Sequence, residues 1–172
     1  MSSRAIVLVG PMGSGKSTVG RALARRLEMS HVDTDELVVE AAGAPIDEIF
    51  EHDGEERFRE LETEALGEAL ASPAVVSTGG GIVVTAANRE LLRNVDAFVV
   101  WLDGSIDALT ARVGSGRGRP LLQGDVRAAL RDKIDERNPG YLEVADLRVD
   151  TTSMRHVDCV DAIVAAMEGA PA

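Results

Sequence analysis

The amino-acid sequence predicts a single α/β domain in which helices cover both faces of a five-stranded parallel sheet, a three-layer α/β/α arrangement. Two patterns lead to this prediction. Short apolar segments alternate with longer segments whose hydrophobic residues recur at helical spacing. The first apolar segment, 5–9, is continuous, which is typical of a strand buried on both faces of a sheet. The length of 172 residues fits one domain with its own core.

The first strand leads into a glycine-rich loop and then into a helical pattern. Residues 10–17 fit the spacing G-x-x-x-x-G-K-[ST], in the strand–loop–helix context where this motif binds phosphates. Glycines let backbone N–H groups curl around an anion, and the helix presents its positive end to it. The alternative is an ordinary turn with an N-capping serine, which the lysine disfavours. We therefore expect this loop to bind a nucleoside triphosphate, with the Ser17 hydroxyl as a ligand of Mg²⁺. The residues expected to form the site are Gly13, Ser14, Gly15, Lys16, Ser17 and Thr18.

The later helices are identified by their hydrophobic spacing and by the residues at which they begin or end. Gly43 and Pro73 end two of the patterns, and Ser105 and Asp125 are suitable N-caps for two more. Pro139, followed by glycine, predicts an interruption within one helix. The helices after the first are predicted at 36–42, 45–50, 55–71, 85–94, 105–112, 125–143 and 156–167, and the strands after the first at 30–33, 75–77, 97–102 and 147–149.

Charge and cysteine content exclude several classes of function. The formal charge of −11 disfavours nucleic acid as a partner, because such binding relies on neutralisation of phosphates by Lys and Arg. The single cysteine, Cys159, excludes an internal disulfide and a cysteine metal site. Together with an N-terminus that shows no signal-like pattern, this predicts a cytoplasmic protein. The apolar runs are too short to span a bilayer, so no membrane partner is expected.

Polar and glycine residues follow two of the predicted strands. Asp33 and Asp35 lie at the carboxyl end of the second strand, where open α/β sheets bind ligands. At a spacing of two in an extended segment their side chains turn to opposite sides, so one could face Mg²⁺ and the other a second substrate. A helix cap is the alternative for either. Residues 78–81, Thr-Gly-Gly-Gly, allow close approach of the backbone to a ligand, or form only a turn.

Arginine is unevenly distributed along the chain. Arg117 and Arg119 lie in a glycine-rich segment between two helices, which indicates a lid that closes over phosphates. Arg112 precedes this segment, and Arg137 precedes Asn-Pro. Arg59 lies on a predicted helix at a spacing that also allows ordinary ion pairs with Glu55, Glu56 and Glu62. The three histidines, His31, His52 and His156, show no ligand spacing and are interpreted as structural or surface residues.

In combination these motifs resemble the shikimate kinase family over nearly the whole chain. Apart from the phosphate-binding loop each motif is weak or moderately specific alone, but their conjunction in this order is specific. The matching segments are 10–17 (GPMGSGKS), 33–35 (DTD), 58–59 (FR), 78–81 (TGGG), 119–122 (RPLL) and 137–141 (RNPGY).

The resemblance implies a P-loop NTPase fold of the nucleoside monophosphate kinase type. It implies transfer of the ATP γ-phosphate to the 3-hydroxyl of shikimate, a step toward chorismate and the aromatic amino acids. It further implies a single kinase domain over 1–172, with acceptor-binding helices at 34–71 and a lid at 113–125. ATP and shikimate are the implied substrates and Mg²⁺ the implied cofactor, and a monomer is expected.

The same resemblance implies a role for individual residues. The catalytic residues would be Lys16, Asp35 and Arg119, where Asp35 orients or deprotonates the accepting hydroxyl and Arg119 contacts the transferring phosphate. Mg²⁺ would be held by Ser17 and, through water, by Asp33, and Arg112 would lie against the adenine. Shikimate would be bound by Asp35, Arg59, Gly80, Gly81 and Arg137, with Phe50, Phe58 and Glu62 around the acceptor pocket.

Two other functions remain open from the residues alone. Another small-molecule kinase of the same fold, acting on gluconate or a nucleoside monophosphate, is separated from shikimate mainly by the family resemblance. A nucleotide-dependent switch or non-catalytic binding module is the alternative of a different class. A GTPase-like switch should carry N-K-x-D and D-x-x-G, and neither motif occurs.

Overall fold

The computed structural model describes residues 4–114 and 124–169. Its centre is a parallel sheet of five strands in the order β2-β3-β1-β4-β5. Strand β1 lies in the middle, with Ile6 opposite Val75 of β3 on one side and Phe98 of β4 on the other. The strands are β1 (Ala5–Val9), β2 (His31–Asp33), β3 (Val75–Ser77), β4 (Ala97–Asp103) and β5 (Leu147–Asp150). The predicted fold class is therefore confirmed, and every strand pair is parallel.

Helices cover both faces of the sheet, as the sequence predicts. The described helices are α1 (Lys16–Leu27), α2 (Thr34–Ala42), α3 (Ile46–His52), α4 (Gly54–Ala69), α5 (Ala86–Asn94), α6 (Ile106–Val113), α7 (Val126–Val144) and α8 (His156–Gly169). Alternate residues of β1 point to opposite layers, because side chains in a strand alternate between the faces. Ile6 and Leu8 pack in the core beneath α1 and α8, whereas Val7 and Val9 pack beneath α4, α5 and α7.

The order of the strands determines where a ligand can bind. The chain leaves β1 toward β2 at one edge, returns to β3, and then crosses to β4 on the opposite side of β1. Connections that diverge in this way open a crevice at the carboxyl ends of the central strands. The loops after β1, β2 and β3 all meet at this crevice, and these are the loops that carry the phosphate-binding motif, the paired aspartates and the three glycines.

The predicted interruption of the helix at Pro139 and Gly140 is wrong. Helix α7 continues through both residues from Val126 to Val144. Proline lacks the N–H that would donate to the carbonyl four residues earlier, which normally kinks or ends a helix. Here the helix is held by tertiary packing, since a methyl group added at Gly140 would lie 2.9 Å from Cβ of Val83. The glycine therefore allows α7 to approach the loop after β3 closely.

Within the part of the chain that the structure describes, no helix is both long enough and apolar enough to cross a membrane.

Candidate active site

A cleft of about 500 Å³ lies at the carboxyl ends of the central strands. The phosphate-binding loop and the start of α1 form one end, and residues of α3, α4 and α7 form the other. Two groups of predicted site residues line this single cleft: Gly13, Gly15, Lys16, Ser17, Thr18 and Arg112 at one end, and Asp35, Arg59, Gly80, Gly81 and Arg137 at the other.

The loop between β1 and α1 has the geometry of a phosphate cradle. Gly13 and Gly15 adopt positive φ angles of 79° and 89°, which side chains other than glycine rarely tolerate. Helix α1 begins at Lys16 with no side-chain cap from a described residue, so its first N–H groups remain available to an anion. The Lys16 ammonium donates to the carbonyl oxygens of Gly10 (2.8 Å) and Pro11 (3.0 Å). The buried Ser14 hydroxyl has no partner among the described residues.

Ser17 and Asp33 form an oxygen pair beside this loop. The Ser17 hydroxyl donates to Asp33 Oδ2 at 2.6 Å, and Asp33 Oδ1 accepts from the backbone N–H of Asp35 at 3.0 Å. Asp33 therefore caps α2, as one sequence interpretation predicts, and also contacts Ser17 of α1. Its role toward Mg²⁺ stays a prediction. Hydroxyl and carboxylate oxygens suit Mg²⁺. Since the described residues contain no cluster of three or more His, Cys, Asp or Glu fit for a metal, water and phosphate oxygens would complete such a shell.

The end of the cleft formed by α3, α4 and α7, which we call the acceptor end, contains two arginines in different electrostatic environments. Arg59 is paired with Glu62 at 2.8 Å and with Glu55 at 3.1 Å, and it donates to the Gly81 carbonyl at 3.3 Å. Arg137 is 4% exposed, and within 4–114 and 124–169 it forms no ion pair and its Nε has no partner. Two carboxylates thus compensate Arg59, whereas Arg137 is a buried cation that a bound anion would neutralise.

Asp35 lies between the two ends of the cleft. Burial, together with the negative charges of Asp33 and Glu62, raises the pKa of Asp35 to about 6, although Lys16 and Arg59 oppose the shift. Burial also raises the pKa of Glu62, against the opposing effect of Arg59. A methyl group added at Gly79 would lie 2.8 Å from Asp35 Oδ1 and 2.9 Å from Glu62 Oε1. The two carboxyl groups therefore converge beside Gly79, and Glu62 Oε1 has no hydrogen-bond partner in the described structure.

The glycines after β3 allow other side chains to approach the backbone closely, in addition to forming a turn. The Gly79 N–H donates to the Thr34 hydroxyl at 3.2 Å, and a side chain at Gly81 would overlap the Arg59 guanidinium. The Gly80 carbonyl accepts a hydrogen bond from the hydroxyl of Tyr141 on α7. Tyr141 belongs to the 137–141 motif, but the sequence does not predict this contact, because its partner lies 61 residues away along the chain.

Arg112 joins the phosphate-binding loop to the segment after β5. Its guanidinium donates to Thr151 Oγ1 at 2.9 Å, to the Thr151 carbonyl at 2.6 Å and to the Gly13 carbonyl at 3.3 Å. His156, at the start of α8, also lines this end of the cleft. The interpretation of His156 as a structural or surface residue missed this placement, since an isolated histidine gives no sequence signal for it.

Phe50 and Phe58 line the acceptor end, with ring centroids 4.7 Å apart.

Two arginines of the predicted lid lie outside the described residues: Arg119, which the sequence predicts as catalytic, and Arg117. Most of the predicted lid at 113–125 also lies outside them.

Comparisons with known proteins agree with one another. The family model described as shikimate kinase matches residues 12–168. A shikimate kinase of Stenotrophomonas maltophilia is 44% identical over 161 residues, covering 92% of this chain and 89% of that protein. One from Geobacter sulfurreducens is 47% identical over 162 residues, covering 93% and 88%. A solved structure, shikimate kinase from Acinetobacter baumannii in complex with shikimate, is similar with a TM-score of 0.93 and 38% identity over 97% of this chain and 94% of that one.

Proposed function

The chain belongs to the shikimate kinase family, and from this premise we propose that it transfers the γ-phosphate of ATP to the 3-hydroxyl of shikimate. The products are shikimate 3-phosphate and ADP, a step toward chorismate and the aromatic amino acids. One observation of the structure carries the proposal. A phosphate cradle and a buried arginine that forms no ion pair with any described residue line the same cleft, with a carboxylate between them. This arrangement suits an acceptor that carries a carboxylate at one end and a reacting hydroxyl near the phosphate.

At the nucleotide end, the chain supplies positive charge and N–H donors. Gly13, Ser14, Gly15 and Thr18 surround the phosphates, and Lys16 moves from the loop carbonyls to the β- and γ-phosphates when ATP binds. Ser17 and, through water, Asp33 hold Mg²⁺, which neutralises charge on the phosphates when bound. Arg112 lies on the adenine side of the loop. Arg119 approaches with the lid and contacts the transferring phosphate.

At the acceptor end, the chain orients shikimate. Arg137 and Arg59 bind its carboxylate, with the backbone of Gly80 and Gly81 alongside. Asp35 accepts a hydrogen bond from the 3-hydroxyl and takes up its proton as the bond to phosphorus forms. A pKa of about 6 suits this role, because the carboxylate is ionised at neutral pH yet remains a usable base. Phosphoryl transfer otherwise depends on alignment and charge, which the fixed cleft provides.

The same proposal covers the organisation of the chain. Residues 1–172 form one kinase domain, with acceptor-binding helices at 34–71 and a lid at 113–125. The protein acts as a monomer in the cytoplasm, without nucleic acid or membrane partners. Two features support this. The charge is −11, and the exposed large hydrophobic side chains among the described residues are confined to Val39, Val84, Leu142, Met154 and Val157.

The direct test is ADP release with ATP and Mg²⁺, comparing shikimate, gluconate, nucleoside monophosphates and no acceptor. We expect release that depends on shikimate. Release with another acceptor would contradict the roles of Arg59 and Arg137, and nucleotide binding without acceptor-dependent release would indicate a switch or binding module. The Lys16→Met variant should abolish release, whereas Lys133→Met, which removes a lysine from α7 outside the cleft, should retain it.

A further inference from the structure

Tyr141 lies directly behind the acceptor end of the cleft, and the proposed mechanism gives it no role. Its side chain is fully buried, packs against Trp101 with ring centroids 5.6 Å apart, and does not line the cleft. Burial raises the pKa of Tyr141 far above its ordinary value, while the charge of the Arg137 guanidinium opposes the shift. The phenol is therefore neutral, and its proton is available to a hydrogen-bond acceptor. A methyl group added at Gly80 would lie 3.4 Å from Arg137 Nη1, so the guanidinium lies beside the loop that follows β3.

The acceptor is the Gly80 carbonyl, which accepts a hydrogen bond from the Tyr141 hydroxyl. In a trans peptide the C=O and N–H point in opposite directions. Because the Gly80 carbonyl points inward to Tyr141, the Gly81 N–H of the same peptide points toward the cleft that both glycines line. Among the described residues, the Gly81 N–H has no acceptor. The hydrogen bond from the tyrosine thus determines that the N–H of this peptide, and not its carbonyl, faces a ligand in the cleft.

Helix α7 places Arg137 and Tyr141 beside the same loop. Arg137 and Tyr141 are four residues apart and lie on the same face of the helix. One residue before the tyrosine, Gly140 packs closely on Val83, which anchors the far end of the same loop. A single hydroxyl therefore connects the loop that supplies the N–H donor to the helix that supplies the cation.

We propose that Tyr141 is a positioning residue of the acceptor site, whose hydroxyl orients the Gly80–Gly81 peptide beside the Arg137 guanidinium. The N–H donor of Gly81 and the cation then lie on the same side of the bound acceptor. This inference rests on the proposed binding of the acceptor carboxylate by Arg137.

The test is the Tyr141→Phe variant, which removes the hydroxyl and keeps the ring packed on Trp101. We expect the KM for shikimate to rise about tenfold, because one hydrogen bond to a charged or oriented group contributes roughly that factor. The KM for ATP should change less than about twofold, because the nucleotide end of the cleft is not in contact with Tyr141. An unchanged KM for shikimate would overturn the proposal.

Two further variants separate positioning from loss of stability. Val144→Ala shortens a buried residue of the same core cluster, one turn nearer the end of α7, and should lower the thermal stability without changing the KM for shikimate. If it raises that KM as much as Tyr141→Phe does, the effect of the tyrosine is merely structural. In the Arg137→Ala background, Tyr141→Phe should have a much smaller effect than in the native chain. A full tenfold effect there would overturn the coupling to Arg137, whereas a normal KM for Arg137→Ala alone would refute the proposed function itself.

Discussion

Replacement of Asp35 by asparagine should stabilise the ligand-free protein while it removes acceptor turnover. The side chain of Asp35 is half-buried near Asp33 and Glu62, and its pKa rises from 3.8 to about 6. No side-chain hydrogen bond of this carboxylate is present among the described residues, so asparagine loses little by replacing it. The electrostatic cost of burying the charge then determines whether the substitution raises or lowers the free energy of unfolding.

Proton linkage gives the magnitude. The folded state binds the Asp35 proton more tightly than the unfolded state, so this contribution to stability is complete below the unfolded pKa of 3.8 and is lost as pH rises through about 6. At 1.36 kcal/mol per pKa unit, the ionised carboxylate costs the ligand-free protein about 3 kcal/mol at pH 7.5 and about 1.6 kcal/mol at pH 5. Asparagine does not ionise, and the Asp35→Asn variant avoids this cost.

Urea unfolding of Asp35→Asn and the native chain at both pH values measures the difference. We expect a gain of at most about 3 kcal/mol at pH 7.5 and roughly half of it at pH 5. Asp161→Asn, which removes the same charge from the exposed side of α8, is the matched control and should change little at either pH. Destabilisation at pH 7.5, or an equal gain at both values, would refute the argument. ADP release should be lost with nucleotide affinity retained; lost nucleotide affinity would instead place Asp35 at the metal.

Three further substitutions probe the same cleft. Gly79→Ala places a methyl group between Asp35 and Glu62, so acceptor turnover should fall at least tenfold while nucleotide binding, measured by calorimetry, stays unchanged. Glu62→Gln removes a negative charge that raises the pKa of Asp35, so the acid limb of the pH profile of kcat/KM for shikimate should move to lower pH; a move to higher pH would contradict this origin of the shift. Arg119→Ala should lower turnover by about 10²–10³ with little loss of ATP affinity, and unchanged turnover would exclude the lid role.

The parts of the site that the sequence predicts are those whose partners are local. The phosphate-binding loop needs only the order of strand, glycines and helix, and the structure reproduces its geometry. The ion pairs of Arg59 with Glu55 and Glu62 follow from helical spacing, and both are present. Helical spacing cannot predict, however, which of the two glutamates is buried. Glu62 is fully buried and Glu55 is exposed, because burial depends on how α4 packs against the rest of the fold.

The parts that the sequence does not predict depend on contacts between distant segments. Tyr141 contacts Gly80 across 61 positions, and Arg112 contacts Thr151 across 39. The continuity of α7 through Pro139 has the same origin, since the packing of Gly140 on Val83 compensates for a weak local preference. Periodicity and composition describe each segment separately, so they contain no information about these pairs.

The electrostatics of the cleft explain how a chain with a charge of −11 can bind two anionic substrates. Surface charges farther than about 8 Å from the cleft are largely screened at physiological salt, so their repulsion of an approaching anion is weak. Within the cleft the balance is local. Arg59 has two carboxylate partners, whereas Arg137 has none among the described residues and lies buried, where its field is screened least. If the acceptor carboxylate binds as we propose, it should therefore gain more from Arg137 than from Arg59.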